Sequence, residues 1–183
     1  MAVTVEMVRQ LREETGAGVM ACKRALTETD GDMAGAKKLL EAEGLAAASK
    51  LAQRATSEGR VTAYVHPGDR IGVLVELNCE TDFVARTSEF ADLAHEVALQ
   101  VAAMQPLYVS EADLPADSPD REDLTPDRRA TLFLAEQPYI RDPGKTIGQL
   151  VTEASAKTGE NIQVRRFVRY ELSQATDRSE QAE

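Results

Sequence analysis

The sequence of 183 residues contains no tryptophan, only two cysteines and comparatively little positive charge. Its 21 basic residues stand against 31 acidic ones, so the formal net charge is −10. Proteins that bind nucleic acid by neutralising phosphates concentrate lysine and arginine, and we therefore expect no direct nucleic-acid binding. Cys22 and Cys79 are too few to form a disulfide framework and cannot complete a zinc site alone.

Long apolar stretches are also missing. No run of about 18 apolar residues occurs, so the sequence predicts no membrane span. The N-terminus carries charges at helical spacing and lacks the apolar region of a secretory signal. Apolar residues nevertheless make up 43% of the chain, which is enough for a packed core. Together these features predict a cytoplasmic globular protein.

Residues 1–45 predict a module of three short helices. The first helix has Thr4 as its N-cap, and the third is capped by Asp32 and ends at Gly44. An alanine-rich helical linker follows over residues 46–58. The residues expected to face inward on the first two helices are Val5, Val8 and Leu11, then Val19, Cys22, Ala25 and Leu26.

Residues 59–172 predict an α+β core in which helices cover an antiparallel sheet, with a polar tail at 173–183. Residues 110–128 are expected to form a solvated connection. The expected strands are a β-hairpin at 60–66 and 71–77 and a last strand at Ile162–Leu172 that joins the hairpin. The expected helices are Ser88–Met104, a short helix at Leu132–Pro138, and Thr146–Thr158. The residues of the first of these helices that are expected to face inward are Phe90, Leu93, Val97, Val101 and Met104.

Sequence motifs for catalysis or nucleotide binding are weak. The G-x-G-x-x-A spacing at Gly16–Ala21 follows a charged amphipathic helix instead of a buried strand, so it favours a turn between helices. Gly144-Lys145-Thr146 resembles the end of a Walker A loop, but the first glycine of that motif would fall at Tyr139. His66 and His95 have no partner at catalytic or metal-ligand spacing. We therefore expect no cofactor, no metal and no active site.

One segment, Asn78–Arg86, connects a strand to the long helix and carries a large apolar residue, Phe83. Residue statistics favour a Phe83 that fills the local core. The alternative is an exposed anchor on a rigid scaffold, as residues that dominate protein interfaces often are.

Four blocks of the sequence resemble bacterial elongation factor Ts, in the same order as in that family. Arg12–Leu26, followed by Asp30-Gly31-Asp32, is similar to the family's N-terminal signature, and Asn78–Arg86 is similar to its second signature. Phe133–Asp142 and Gly159–Arg169 resemble its C-terminal blocks. The resemblance covers residues 3–172 except for the stretch from Val109 to Arg128, which departs from the family's pattern. The short core matches family members holding one sheet unit.

This resemblance implies a guanine nucleotide exchange factor for elongation factor Tu, without bond-making chemistry of its own. It implies that the three-helix module is ubiquitin-associated-like and that Val19 and Met20 contact the GTPase. It also implies that Thr81, Asp82, Phe83 and Val84 reach the nucleotide site, where Asp82 and Phe83 dislodge the Mg²⁺ ion.

The short core also predicts a homodimer, because family members with one sheet unit are expected to pair so that two copies resemble the double core of longer members. Two other functions stay open. One is a small enzyme with an acidic site at the hairpin turn around His66 and Asp69, and the other is a ubiquitin-associated-like adaptor for an unrelated partner.

Overall fold

A computed structural model describes residues 3–15 and 17–173, and within this part of the chain the fold is α+β, as predicted. Among the same residues no helix combines the length and the apolar character needed to cross a bilayer. The elements are α1 (Val5–Thr15), α2 (Val19–Glu28), α3 (Met33–Leu51), β1 (Glu58–Val65), β2 (Ile71–Cys79), α4 (Asp82–Ala85), α5 (Ser88–Met104), α6 (Pro126–Leu132), β3 (Pro138–Tyr139), β4 (Asp142–Thr146), α7 (Ile147–Thr158) and β5 (Gln163–Glu171).

The first three helices pack around a small core of their own. The hydroxyl of Thr4 accepts a hydrogen bond from the Met7 amide (3.2 Å), and the Asp32 carboxylate accepts one from the Ala34 amide (3.0 Å), so both predicted caps are present. The buried residues of this core are Leu11, Cys22, Ala25, Leu26, Ala36 and Leu40.

Two residues expected to face inward do not. Val5 is 82% exposed and Val19 is 50% exposed. Successive helical residues turn by about 100°, so Val5 and Leu11 lie roughly 120° apart and cannot share one narrow face. Val19 is the first residue of α2, and the buried residues of that helix begin one turn later, at Cys22.

Helix α3 does not end at Gly44 as predicted but continues to Leu51. Gly44 faces Ala156 on α7, and the two helices pack along this stretch. Glycine inside a helix costs about 1 kcal/mol relative to alanine, and packing of this kind overrides that local preference. The first half of the predicted linker is therefore part of a helix that contacts the core.

The main sheet has the strand order β1-β2-β5, and both strand pairs are antiparallel. This confirms the predicted hairpin and its third strand. Helix α5 has the predicted bounds and packs on one face of the sheet against β1 and β2. The prediction that Met104 faces inward is wrong, because its side chain is half-exposed. Met104 is the last residue of α5, and the next residue, Gln105, takes a left-handed conformation that ends the helix.

The segment before α7 has more structure than the sequence predicted. Residues 110–128 contain two 3-10 turns and the start of α6, and Leu114 is buried with Leu132 and Phe133 in a separate small cluster. The short helix expected at Leu132–Pro138 is present as a single 3-10 turn at Leu134–Glu136, which ends before Pro138. It follows α6, which ends at Leu132. That helix begins at a Thr-Pro pair, in which the Thr125 hydroxyl accepts from the Arg128 amide (3.3 Å) and proline suits the first turn.

Candidate functional site

The connection between β2 and α5 folds as one helical turn, α4, that is held at both ends by threonines. The Thr81 hydroxyl accepts a hydrogen bond from the Val84 amide at the start of the turn (3.4 Å). At its end, the Thr87 hydroxyl donates to the Val84 carbonyl (2.8 Å) and accepts from the Phe90 amide, which caps α5. The segment lies between a strand and the long helix, as predicted, and it folds there as a fixed helical turn.

Side chains of α4 point in two directions. Ala85 is buried in the main core and Val84 packs half-buried against the same core, whereas Phe83 is 80% exposed. About 200° of helical rotation separates Phe83 from Ala85, so a turn that buries Ala85 must expose Phe83. Of the two readings left open by the sequence, the core filler is therefore wrong and the exposed side chain is what the structure has.

A carboxylate stands next to this exposed ring. Asp82 is half-buried, and its carboxylate pairs with the guanidinium of Arg86 one turn later (2.7 Å). Beneath the turn, the Cys79 thiol donates to the Thr81 carbonyl (3.1 Å), and burial raises the pKa of that thiol. Cys79 therefore remains a thiol at neutral pH and packs as a structural residue.

The turn between α7 and β5 forms hydrogen bonds with the residues at the start of α4. The Glu160 carboxylate accepts hydrogen bonds from the backbone amides of Glu80 and Thr81 (3.1 and 3.0 Å) and from the Thr81 hydroxyl (2.6 Å). Sequence reasoning missed Glu160 as a site residue, although it lies in one of the four family-like blocks. No local pattern connects it to Thr81, which is 79 positions away.

The structure places the second set of predicted contact residues, Val19 and Met20, at the exposed start of α2. Met20 is 75% exposed, and Gly18 precedes the helix without a side-chain cap. Two neighbouring apolar side chains thus lie on the surface of the three-helix module. Gly16, the first glycine of the dinucleotide-like spacing, lies outside the described residues, and helix α1 precedes it.

The outer face of the main sheet, opposite α5, also exposes apolar side chains. In register, Ala63 of β1, Leu74 of β2 and Val168 of β5 form one row across the sheet. The charged row beside it is already paired, because Glu76 and Arg166 are 2.7 Å apart. The exposed apolar residues of this outer sheet face are Val61, Val65, Leu74, Val168 and Tyr170.

The remaining chemistry-bearing residues have structural partners or lie on exposed turns. The Lys145 ammonium of the Walker-like segment pairs with Glu153 (3.0 Å). His66 and Asp69 are exposed in the hairpin turn, where the His66 ring contacts the Tyr64 hydroxyl (3.0 Å). Among the described residues, no group of three histidine, cysteine or carboxylate side chains is arranged to hold a metal ion.

Comparison with known proteins identifies the family. The family model of elongation factor Ts matches residues 45–131, a stretch that holds β1, β2, α4 and α5. The elongation factor Ts of Heliobacterium modesticaldum is 47% identical, and the alignment covers 94% of this chain and 91% of that protein. The chain belongs to the elongation factor Ts family. It is therefore a translation elongation factor.

Other elongation factor Ts proteins agree over nearly their whole length. That of Rubrobacter xylanophilus is 45% identical over 94% of this chain and all of its own. That of Carboxydothermus hydrogenoformans is 46% identical over 98% of this chain and 93% of its own. The resemblance carried by four sequence blocks is confirmed as a similarity of whole chains.

Proposed function

We propose that this protein is the guanine nucleotide exchange factor for elongation factor Tu and that the α4 turn acts on the nucleotide site of that GTPase. The observation that carries the proposal is the exposure of Phe83 on a turn whose neighbouring residues are anchored in the core. A large aromatic side chain held in water by a rigid scaffold is the kind of residue that dominates protein interfaces.

The proposed mechanism weakens nucleotide binding through the metal. Mg²⁺ neutralises phosphate charge and bridges the phosphates to the GTPase, so disturbing its coordination loosens GDP without contact to the base. Phe83 would displace groups near the ion, and Asp82 would bring a negative charge close to the phosphates. By linkage, the factor by which this protein lowers GDP affinity equals the factor by which GDP lowers the affinity for this protein.

Val19 and Met20 provide the second contact in this proposal. Their exposed apolar side chains on the three-helix module, which we take to be ubiquitin-associated-like, would anchor the GTPase domain while α4 acts. Two separate contacts suit an exchange factor. The anchoring contact raises the fraction of the GTPase that is bound, and the contact at the nucleotide site changes the rate of GDP release. We propose the Thr81–Val84 turn and Val19–Met20 as the two contact sites.

We infer further that the protein is a homodimer that pairs through the outer sheet face. A sheet covered by helices on one side leaves its other side to water or to a partner. The chain carries a net charge of −10, which disfavours contact between its acidic surfaces. The outer sheet face is apolar and its charged row is internally paired, so it is self-complementary, as a two-fold interface requires.

The proposed exchange function can be tested by measuring the release of GDP. Elongation factor Tu loaded with labelled GDP should release it, in the presence of excess unlabelled nucleotide, at a rate that grows with the concentration of this protein. An adaptor would bind the loaded GTPase without faster release, and an enzyme with a site at His66 and Asp69 would do neither. Either of these two results would overturn the proposal.

The metal mechanism is tested by the same assay after EDTA has removed Mg²⁺. Release without the ion should be fast already, and the further acceleration by this protein should shrink. An acceleration of equal size with and without Mg²⁺ would mean that the protein acts elsewhere on the nucleotide, for example on the base.

In line with this function, we propose a cytoplasmic protein that acts without a cofactor and binds neither nucleic acid nor membrane. The acidic composition supports the nucleic-acid part of this proposal, because a net charge of −10 repels phosphates.

A further inference from the structure

Residues Gly159–Asn161, in the turn that connects α7 to β5, are bonded reciprocally to the segment before α4. The Glu160 carboxylate accepts from the Glu80 and Thr81 amides, and the Glu80 carboxylate accepts from the Asn161 amide (2.7 Å). Each turn thus satisfies backbone donors of the other. Because backbone donors are involved, these contacts fix the path of the chain and not only the side chains.

The turn that supplies Glu160 is itself held firmly. Helix α7 ends at Thr158 and is followed by Gly159, which has the left-handed φ of 73° typical of the residue after a helix. Asn161 is buried, and its side-chain amide donates to the carbonyls of Ala52 and Arg54 (3.3 and 2.7 Å) just after α3. Glu160 is therefore positioned from both sides before it meets Thr81.

Thr81 connects Glu160 to the exposed turn α4. Its hydroxyl donates to Glu160 and at the same time accepts from the Val84 amide. The hydroxyl oxygen carries two lone pairs, so it accepts from the Val84 amide while its proton is directed to Glu160. A helix of four residues is not stable in water by itself, because nucleation costs more than one turn of hydrogen bonds returns.

We propose that Glu160 is a positioning residue for exchange: it does not touch the GTPase but fixes Thr81 and thereby the direction in which Asp82 and Phe83 leave the surface. This inference rests on the proposed function. A pre-positioned Phe83 enters its partner without first ordering the turn, whereas a loose turn must be ordered at each encounter.

The first test compares Glu160→Ala with Glu160→Gln. Alanine removes all three acceptor bonds, and we expect the efficiency of GDP release to fall by about 10- to 100-fold, as misplacement of a working group does. Glutamine keeps one oxygen for the two amides, and its own amide can donate to the Thr81 hydroxyl, so it should restore most of the loss. Glu153→Ala, which removes a half-buried carboxylate from α7 that pairs with Lys145, is the matched control and should leave exchange unchanged.

The second test separates positioning from general support of the fold. If Glu160 acts only through the presentation of Phe83, then adding Glu160→Ala to Phe83→Ala should cause little further loss of exchange. Independent contributions would multiply instead. Multiplied losses, or a loss in Glu160→Ala that follows the fraction of unfolded protein, would overturn the inference.

A third measurement does not depend on exchange activity. In Glu160→Ala the amides of Glu80 and Thr81 should exchange hydrogen with solvent faster, while the Val75 amide in the centre of β2 keeps its protection. Unchanged protection at Glu80 and Thr81 would overturn the inference. If wild-type protein fails to accelerate GDP release, the proposed function falls, and the hydrogen-exchange result still decides whether Glu160 orders the turn.

Discussion

Phe83 and Ala85 lie on the same helical turn, yet Phe83 is 80% exposed and Ala85 only 6%. The turn buries its small residue and leaves the large one in water, which is the reverse of what burial of apolar area favours. Core packing does not explain this arrangement, because Phe83 contributes little to the core. The proposed contact with a partner would explain it. The proposed roles of Asp82, of Val19 and Met20, and of the outer sheet face can each be tested by substitution.

Asp82→Ala should reduce exchange less than Phe83→Ala does, by less than about tenfold, because a carboxylate at a hydrated rim contributes mainly to orientation and charge. The pair with Arg86 is exposed and worth at most about 1 kcal/mol, so the melting temperature should hardly change. The measurement is the rate of GDP release against protein concentration.

Arg86→Ala is the matched control for this substitution, since it breaks the same pair and keeps the carboxylate. If Asp82 acts on the metal site, Arg86→Ala should retain exchange. Equal losses in both variants would mean that only the pair matters, and the proposed role of Asp82 would be wrong.

Met20→Ala, alone or with Val19→Ala, should weaken binding to elongation factor Tu by about 1–2 kcal/mol, the usual cost of truncating a contributing apolar residue at an interface. The maximal rate of GDP release should persist, but it should require a higher concentration of this protein. Val5→Ala serves as the control because Val5 is equally apolar and 82% exposed on the same module. A lower maximal rate with unchanged half-saturation would contradict the anchoring role.

Leu74→Glu should convert a dimer into a monomer. Leu74 lies in the middle of the outer sheet face, between Ala63 and Val168, so two copies of the charge would meet across a two-fold interface. Sedimentation at micromolar concentration should show dimeric wild type and monomeric variant. Val5→Glu, a similar change remote from this face, should remain dimeric. A monomeric wild type would refute the dimer.

Tyr139→Phe tests the cause of the raised pKa of Tyr139 on strand β3. The Tyr139 hydroxyl donates to Glu96 (2.8 Å), and burial together with this carboxylate raises its pKa to about 12 from 10.0. Removing the hydroxyl should cost about 1 kcal/mol of stability at neutral pH. A raised pKa in the folded state stabilises the fold below pH 10, and this contribution is lost as the pH rises towards 12.

Urea unfolding of wild type and Tyr139→Phe, compared from pH 8 to pH 12, checks the sign of this effect. The stability difference between the two should be constant up to about pH 10, the ordinary tyrosine pKa, and should narrow above it. A difference that grows with pH would contradict the assigned cause of the shift.

The sequence predicted the elements whose signals are local. Helix α5 was predicted with correct bounds because Thr87 caps it and apolar residues recur at helical spacing up to Val101. Helix α7 followed equally from the Thr146 cap. The strands β1 and β2 followed from alternation and the turn between them.

Features that depend on distant contacts were not predictable from local patterns. Gly44 predicts a helix end from the local sequence, but α7 packs against it and α3 continues to Leu51. Whether Phe83 faces inward depends on the rotation of α4, which Thr81 and Glu160 set through bonds across 79 positions. The structure of residues 110–128 depends on burial of Leu114 beside Phe133, a contact with no signature in the segment itself.

The most direct test of the account measures melting temperature and GDP release on one sample of Phe83→Ala, with Leu107→Ala, another exposed apolar residue, as control. Loss of a buried aromatic contact of about 2–4 kcal/mol should lower exchange about 30- to 700-fold. The account predicts this loss at an unchanged melting temperature, with Leu107→Ala normal in both. A lowered melting temperature with normal exchange per folded molecule would contradict it.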